Sequence, residues 1–158
     1  MRAGAVALLL ALAACNSGTA SDDVGVAADG TARVAVTIAT AGGPHVFRVE
    51  RAATPAAQAQ GLMFRTDLKP DEGMLFHPYP AAGGGPQVAN FFMKNTPSPL
   101  DILFIREDGT IARIAENTVP LSESLISSQE PVSAVLELVG GRSAELGIAE
   151  GDKVTWTR

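Results

Sequence analysis

Apolar and polar positions alternate from Thr31 to Ala39, with Val34, Val36 and Ile38 on one side and Arg33, Ala35 and Thr37 on the other, which is the spacing of a half-covered strand. AGGP follows as a turn and His45 to Glu50 alternates again, so the two segments predict a hairpin. In ATPAAQAQGLMFR the signal changes. Thr54 offers an N-cap, Pro55 suits the first helical position, and Ala56 to Ala59 favour helix. A short helix from 55 to about 63 is expected, laying Ala59, Leu62 and Met63 against the sheet.

GMLF at 73–76 reads as a short buried strand, and the Gly- and Pro-rich HPYPAAGGGPQVAN predicts a loop from 77 to about 89. Phe91 to Ile105 supplies two strands divided by Pro97 and Pro99, which cannot both sit in a central ladder. On a pleated first strand, Phe91, Met93 and Asn95 would share one side and Phe92, Lys94 and Thr96 the other. The second, Leu100 to Ile105, is apolar on both sides except for Asp101, as in a strand covered on both faces. Glu107-Asp108-Gly109 turns into a strand over 110–117, a loop runs from Ser122 to Pro131, and Val132 to Val139 forms another strand. One helical turn around Ala144 and Leu146 and a closing strand in EGDKVTW complete the chain. Many short strands with one or two short helices predict a single, mainly β domain over 31–158, a small barrel or sandwich rather than alternating α/β units.

The first residues stand apart from this pattern. MRAGAVALLLALAAC has one positive residue and an apolar run too short to span a membrane, the form of a secretion signal over 1–14. Leu12-Ala13-Ala14-Cys15 resembles the bacterial lipobox, which implies lipidation of Cys15, and residues 15–30 read as a flexible tether. Asn16 after that cysteine resembles the sorting signal for the outer membrane of a Gram-negative envelope, so a periplasmic-facing, lipid-anchored domain is expected. Without Cys15 the mature body has no cysteine, hence no disulfide, thiol nucleophile or thiolate metal ligand. The net charge of −5 and the lack of a basic cluster argue against nucleic acid as a partner.

Several blocks carry a family signature: Gln60-Gly61-Leu62-Met63-Phe64-Arg65, Gly73-Met74-Leu75-Phe76, Phe91 to Thr96 with Pro99-Leu100-Asp101-Ile102 and Phe104, Val135-Leu136-Glu137, Gly147-Ile148 and Gly151-Asp152. In this order they resemble the domain of unknown function 192 (DUF192, UPF0127) family, here in the form of an exported lipoprotein. The resemblance implies a small, mainly β fold and a set of motif residues rather than a reaction. Phe92 stands where the family has Trp, keeping apolar bulk without the indole donor.

The polar residues within this signature are the candidate ligand-binding set: Arg65, Lys94, Asn95 and Asp101. Lys94 either lies along an apolar surface with its amine in water or is held by a carboxylate such as Asp101. Asn95 and Thr96 precede a Pro-Ser-Pro turn and are suited to bonding its backbone. Asp101 either caps that turn or accepts from Lys94 and Arg65. An Arg65–Lys94–Asp101 triad would leave surplus positive charge for an anionic envelope saccharide, a small anion or a partner protein.

Other chemistries are weaker. Met63, Met74 and Met93 with His45 and His77 could hold copper, but each methionine sits in an apolar run, so no cofactor is expected and periplasmic copper binding stays a distant alternative. The glycines at 83–85 lack a P-loop context, the serines from 122 to 128 lack a nucleophile elbow, and no HExxH is present. Asp101, Glu116, Glu130 and Glu137 could supply paired carboxylates, which leaves a hydrolase or lyase of envelope polymers as an alternative to a binding module, beside a purely structural role.

Overall fold

The computed structural model describes residues 33–157; the signal, Cys15 and the tether expected at the N-terminus lie outside the described residues. The chain is mainly β, as its pattern predicts. Strands β1 (Arg33–Thr40) and β2 (Gly43–Ala52) form the expected hairpin, with Val36 and Ile38 fully buried. Helix α1 (Pro55–Gln60) starts at Thr54, whose hydroxyl accepts from the Ala57 amide, and stops earlier than expected because Gly61 takes a left-handed φ of 50°. Leu62 is buried just beyond this stop, Met63 is half-buried, and Ala59 is exposed instead of facing the sheet. The end of the helix, rather than its side, meets the core.

Because β3 (Gly73–Phe76) pairs parallel with β2, the chain must cross over between them, and α1 lies in that crossover. Strands β5 (Leu100–Ile105), β6 (Ile111–Ala115), β8 (Ala134–Val139) and β9 (Lys153–Trp156) complete a seven-stranded sheet in the order β6-β5-β8-β3-β2-β1-β9. Helix α2 (Arg142–Leu146) is the turn expected around Ala144. The sheet curls into a half-barrel whose edges meet at one end. There Thr110 bridges Lys153, and the Ile111 amide donates to the Asp152 carbonyl at 2.9 Å.

Two strands escape the sequence pattern. β4 (Gln87–Phe91) begins within the expected loop, and β7 (Ile126–Val132) occupies most of the loop expected from Ser122 to Pro131. They pair only with each other, through a register shift between Val88 and Asn90, and lie over the convex face of the curled sheet. The strand expected from Phe91 to Thr96 ends at Phe91. Residues 92–96 instead turn, with Asn95 at a φ of 56°, a conformation that asparagine tolerates better than most residues. The strand expected over 132–139 is likewise split, with Ser133 between β7 and β8.

Strands β3, β5 and β8 are buried on both faces, so two apolar layers form. The inner one holds Val36, Phe47, Leu75, Leu103, Leu136 and Val154. The outer one holds Phe76, Met93, Ile102, Phe104 and Val135 beneath the β4–β7 pair. Phe91 fastens that cover, meeting Phe76 edge-on at 5.0 Å and Phe104 at 6.0 Å between ring centroids.

Register fixes which polar groups enter which layer. Glu50, Met74, Glu137 and Ile102 are consecutive neighbours across β2, β3, β8 and β5 and so share the outer face. Gly73, Leu138 and Asp101 form the adjacent row and share the inner face. A side chain at Gly73 has no room: its Cβ would overlap the Glu137 carbonyl oxygen. Gly73→Ala should lower stability by about 1–3 kcal/mol, since backbone must move to admit the methyl group. An unchanged midpoint in thermal unfolding would show that β3 and β8 tolerate wider spacing at this point.

Candidate functional site

The four sequence-predicted residues do not come together. Arg65 reaches back to Glu50 at 2.8 Å and Asp67 at 2.8 Å, and both carboxylates raise its pKa further. Lys94 is exposed, its amine 3.8 Å from Glu123. Asn95 forms the turn, accepting from the Phe64 amide through its carbonyl, while its side chain lies 3.9 Å from the Met63 sulfur. Thr96 donates to the Lys94 carbonyl at 3.2 Å, the local turn role that its position before the prolines favours.

Asp101 is fully buried on the inner face and meets neither Arg65 nor Lys94. Oδ1 accepts from the amides of Asn117 at 2.7 Å and Gly141 at 2.8 Å, and Oδ2 accepts from Ser143 at 2.7 Å. Three backbone donors thus satisfy one carboxylate. It fastens the β6 exit and the start of α2 to β5, so the anion-binding triad expected from the sequence is not assembled.

A different acid stands in a pocket. Glu137 on β8 points from the outer face into a cavity of about 400 Å³ between the sheet, α1 and β4. The residue is 5 % exposed, its Oε2 has no hydrogen-bond partner, and burial pushes its pKa up to about 8. Below that pH the carboxyl is largely protonated. Arg33 Nε, His45 Nε2 and Ser143 Oγ are also buried without a partner, but Glu137 is the ionisable carboxyl of this group and the one that lines a cavity, which marks it as a functional candidate.

The walls are aromatic and amide. Phe76, Tyr79, Phe91 and Phe92 contribute rings, while Gln58, Gln60 and Asn90 contribute amides. Gln58 is committed to structure: its amide nitrogen donates to the carbonyls of Ala52 at 3.0 Å and Pro78 at 2.7 Å, and its oxygen accepts from Ala81 at 3.0 Å. These bonds hold α1 to the 77–81 segment and keep the wall in place. The Tyr79 phenol hydrogen-bonds the Asn90 backbone, and burial raises its pKa. Among the described residues, no Lys, Arg or His lines the cavity.

A second concavity of about 660 Å³ lies between β6, β7 and the loop joining them. Its Arg113 already donates to the Ser127 carbonyl at 2.6 Å, and no buried acid opens into it. The described residues contain no cluster of three or more His, Cys, Asp or Glu suited to a metal ion.

The sequence contained the decisive signal without declaring it. Glu137 is the single charged residue in AVLELV, a strand apolar on both faces. Its position within the family signature and among the candidate carboxylates was legible; its place at a pocket floor depended on the cover supplied by β4 and α1.

Comparison with known proteins agrees with this architecture. A crystal structure from Novosphingobium aromaticivorans DSM 12444, of a protein of unknown function, is 45 % identical with a TM-score of 0.77, over 87 % of this chain and 97 % of that one. A second, from Sinorhizobium meliloti 1021 and provisionally named a transcription regulator, is 45 % identical with a TM-score of 0.73, over 80 % of this chain and 95 % of that one. No curated protein matches. The DUF192 family model, described as an uncharacterised ACR, matches residues 36–156, nearly all of the described domain. On that match the chain belongs to the DUF192 family.

Proposed function

We propose that the domain is a binding module for a small, largely apolar molecule carrying one polar group that meets Glu137. The observation that carries this reading is the buried, unpartnered Glu137 oxygen at the floor of a formed cavity. About 400 Å³ lies toward the small end of the range for small-molecule sites, and aromatic walls with a few polar groups are typical of them. Lacking a cationic side chain, the lining gives no support to an anionic saccharide as ligand.

Binding is better supported than turnover. A carboxyl with its pKa near 8 suits a general acid, but glycosidic chemistry needs a second carboxylate, and none lines the cavity. Glu50 shares the face but lies two strands away, roughly 10 Å by interstrand spacing, and is tied to Arg65. The transcription-regulator name carried by the Sinorhizobium protein does not translate into a case for nucleic-acid binding here, since the chain has a net charge of −5 and Arg33, Arg65, Arg106 and Arg142 are each paired with carboxylates. The place of action that we propose is the periplasmic face of the outer membrane, on the strength of the lipobox-like LAAC ending at Cys15.

The test is a methyl-detected NMR titration of the full chain with a fragment set of neutral, cationic and anionic members. Saturable shifts at the Leu62 and Met63 methyls are expected for at least one charge class. Shifts confined to residues outside the cavity, or none from any fragment, would overturn the reading.

A further inference from the structure

Every group around the Glu137 carboxyl lacks the one feature that an internal partner would have, a positive charge. The described cations nearest in sequence to the pocket segments are spent elsewhere: Arg65 on Glu50 and Asp67, Lys94 on Glu123, and Arg51 on the His77 carbonyl at 3.0 Å. The cavity around the acid is walled by four aromatic rings, those of Phe76, Tyr79, Phe91 and Phe92. Aromatic faces attract cations, and the attraction is greatest where water is excluded. A lone acid among aromatic rings, with no internal cation competing for it, is complementary to a positive ligand.

Resting on the reading of this cavity as a small-molecule site, we infer that its ligand class is an organic ammonium, a protonated or methylated amine on a compact apolar body. The ammonium sits against Glu137 Oε2, supplying the hydrogen bond or charge that this oxygen lacks, while the body fills the space between α1 and β4. A neutral ligand would satisfy the oxygen by donating a hydrogen bond but would make little use of the rings' electrostatics. An anion would meet no compensating charge.

The inference fixes a proton balance. A protonated Glu137 carboxyl and a free ammonium become a carboxylate–ammonium pair, and the acid's proton goes to solvent; only the carboxyl O–H bond breaks. The groups that face this acid leave its titration to dominate. Among the described residues, Tyr79 is the one other titratable side chain lining the cavity. In register, β3 presents Met74 and β5 presents Ile102; α1 presents amides, and the 92–96 turn presents Phe92 and Thr96. Glu50 on β2 is held by Arg65. Affinity for an ammonium should therefore rise with pH and level off near 8, where the acid ionises without help.

The experiment compares 2-phenylethylammonium, 2-phenylethanol and phenylacetate, three probes of similar shape and different charge, with N-acetylglucosamine as an uncharged envelope sugar. Binding to the full chain is measured by calorimetry at pH 7 in two buffers of different ionisation enthalpy. The ammonium should bind at least about tenfold more tightly than the alcohol and release close to one proton. Glu137→Gln should abolish this preference and the proton release, with unchanged backbone NMR shifts away from the cavity reporting that the fold is intact. Tighter binding of the alcohol, the sugar or the acetate would overturn the ammonium assignment and leave the small-molecule reading standing. So would an ammonium preference that survives in Glu137→Gln. Binding of none of the probes, with no cavity shifts from any fragment, would remove both.

Discussion

Glu137→Gln is expected to make the protein more stable at pH 8 by about 3 kcal/mol, with little change at pH 5. In the folded chain the carboxyl ionises near 8 because burial removes it from water, against an ordinary value of 4.5. A folded-state pKa above the unfolded one means that the group's contribution is fully present below about pH 4.5. It declines as the pH rises and is lost once the folded carboxyl ionises near 8, because the unfolded chain gives up this proton far more readily. The wild type should thus lose stability between pH 5 and pH 8, and the Gln variant, matched in shape and neutral throughout, should lose less.

Chemical denaturation of both proteins at the two pH values checks this. Comparing slopes between the proteins cancels the titration of every other group. Parallel pH dependences would mean that Glu137 ionises in the ordinary carboxylate range, and the cost that singles it out would vanish. A stabilised variant that has lost its preference for the ammonium is the signature of a residue retained for function rather than folding.

Asp101→Ala should have the opposite and larger effect, a loss of about 4 kcal/mol, on the order of 10–20 °C in the unfolding midpoint for a domain of this size. Its carboxylate accepts from three backbone amides, and the one from Ser143 is buried. Removing it leaves the buried Ser143 amide unpaired and takes a fixed acceptor from the other two. Asp101→Asn should fall between, since an amide oxygen can still serve two of the donors while its nitrogen opposes the third. Thermal unfolding of the three proteins gives the order. A small effect in Asp101→Ala would show that water replaces the carboxylate, and with it that Asp101 is free for the ligand role first read from the sequence.

These two acids, on neighbouring strands and opposite faces, show where reading a sequence succeeds and where it stops. Alternation found β1 and β2, and apolar runs found β3, β5 and β8, because each reports burial directly. β4 and β7 were hidden. Gln87, Asn90, Ser127, Ser128 and Pro131 are poor strand signals, and a shifted register breaks the period. The left-handed turn at Asn95 similarly hid behind FFMKNT, where aromatic residues mimic a strand. Asp101 and Glu137 each appear as one acid in an apolar strand. Only strand pairing tells that one meets three amides and the other meets none.

The separation of β4 and β7 from the main sheet gives the outer layer an independence that the ladders deny to the rest. The pair makes no strand ladder with the seven-stranded sheet; it is held down by side chains, Phe91 and Val132 in the outer layer and Arg113 and Arg106 reaching Ser127 and Glu130. Amide protons within the main sheet are protected by global cooperativity, whereas those of the cover answer to a smaller opening free energy. Anything that grips β4 and α1 together would slow deuterium uptake in the cover first.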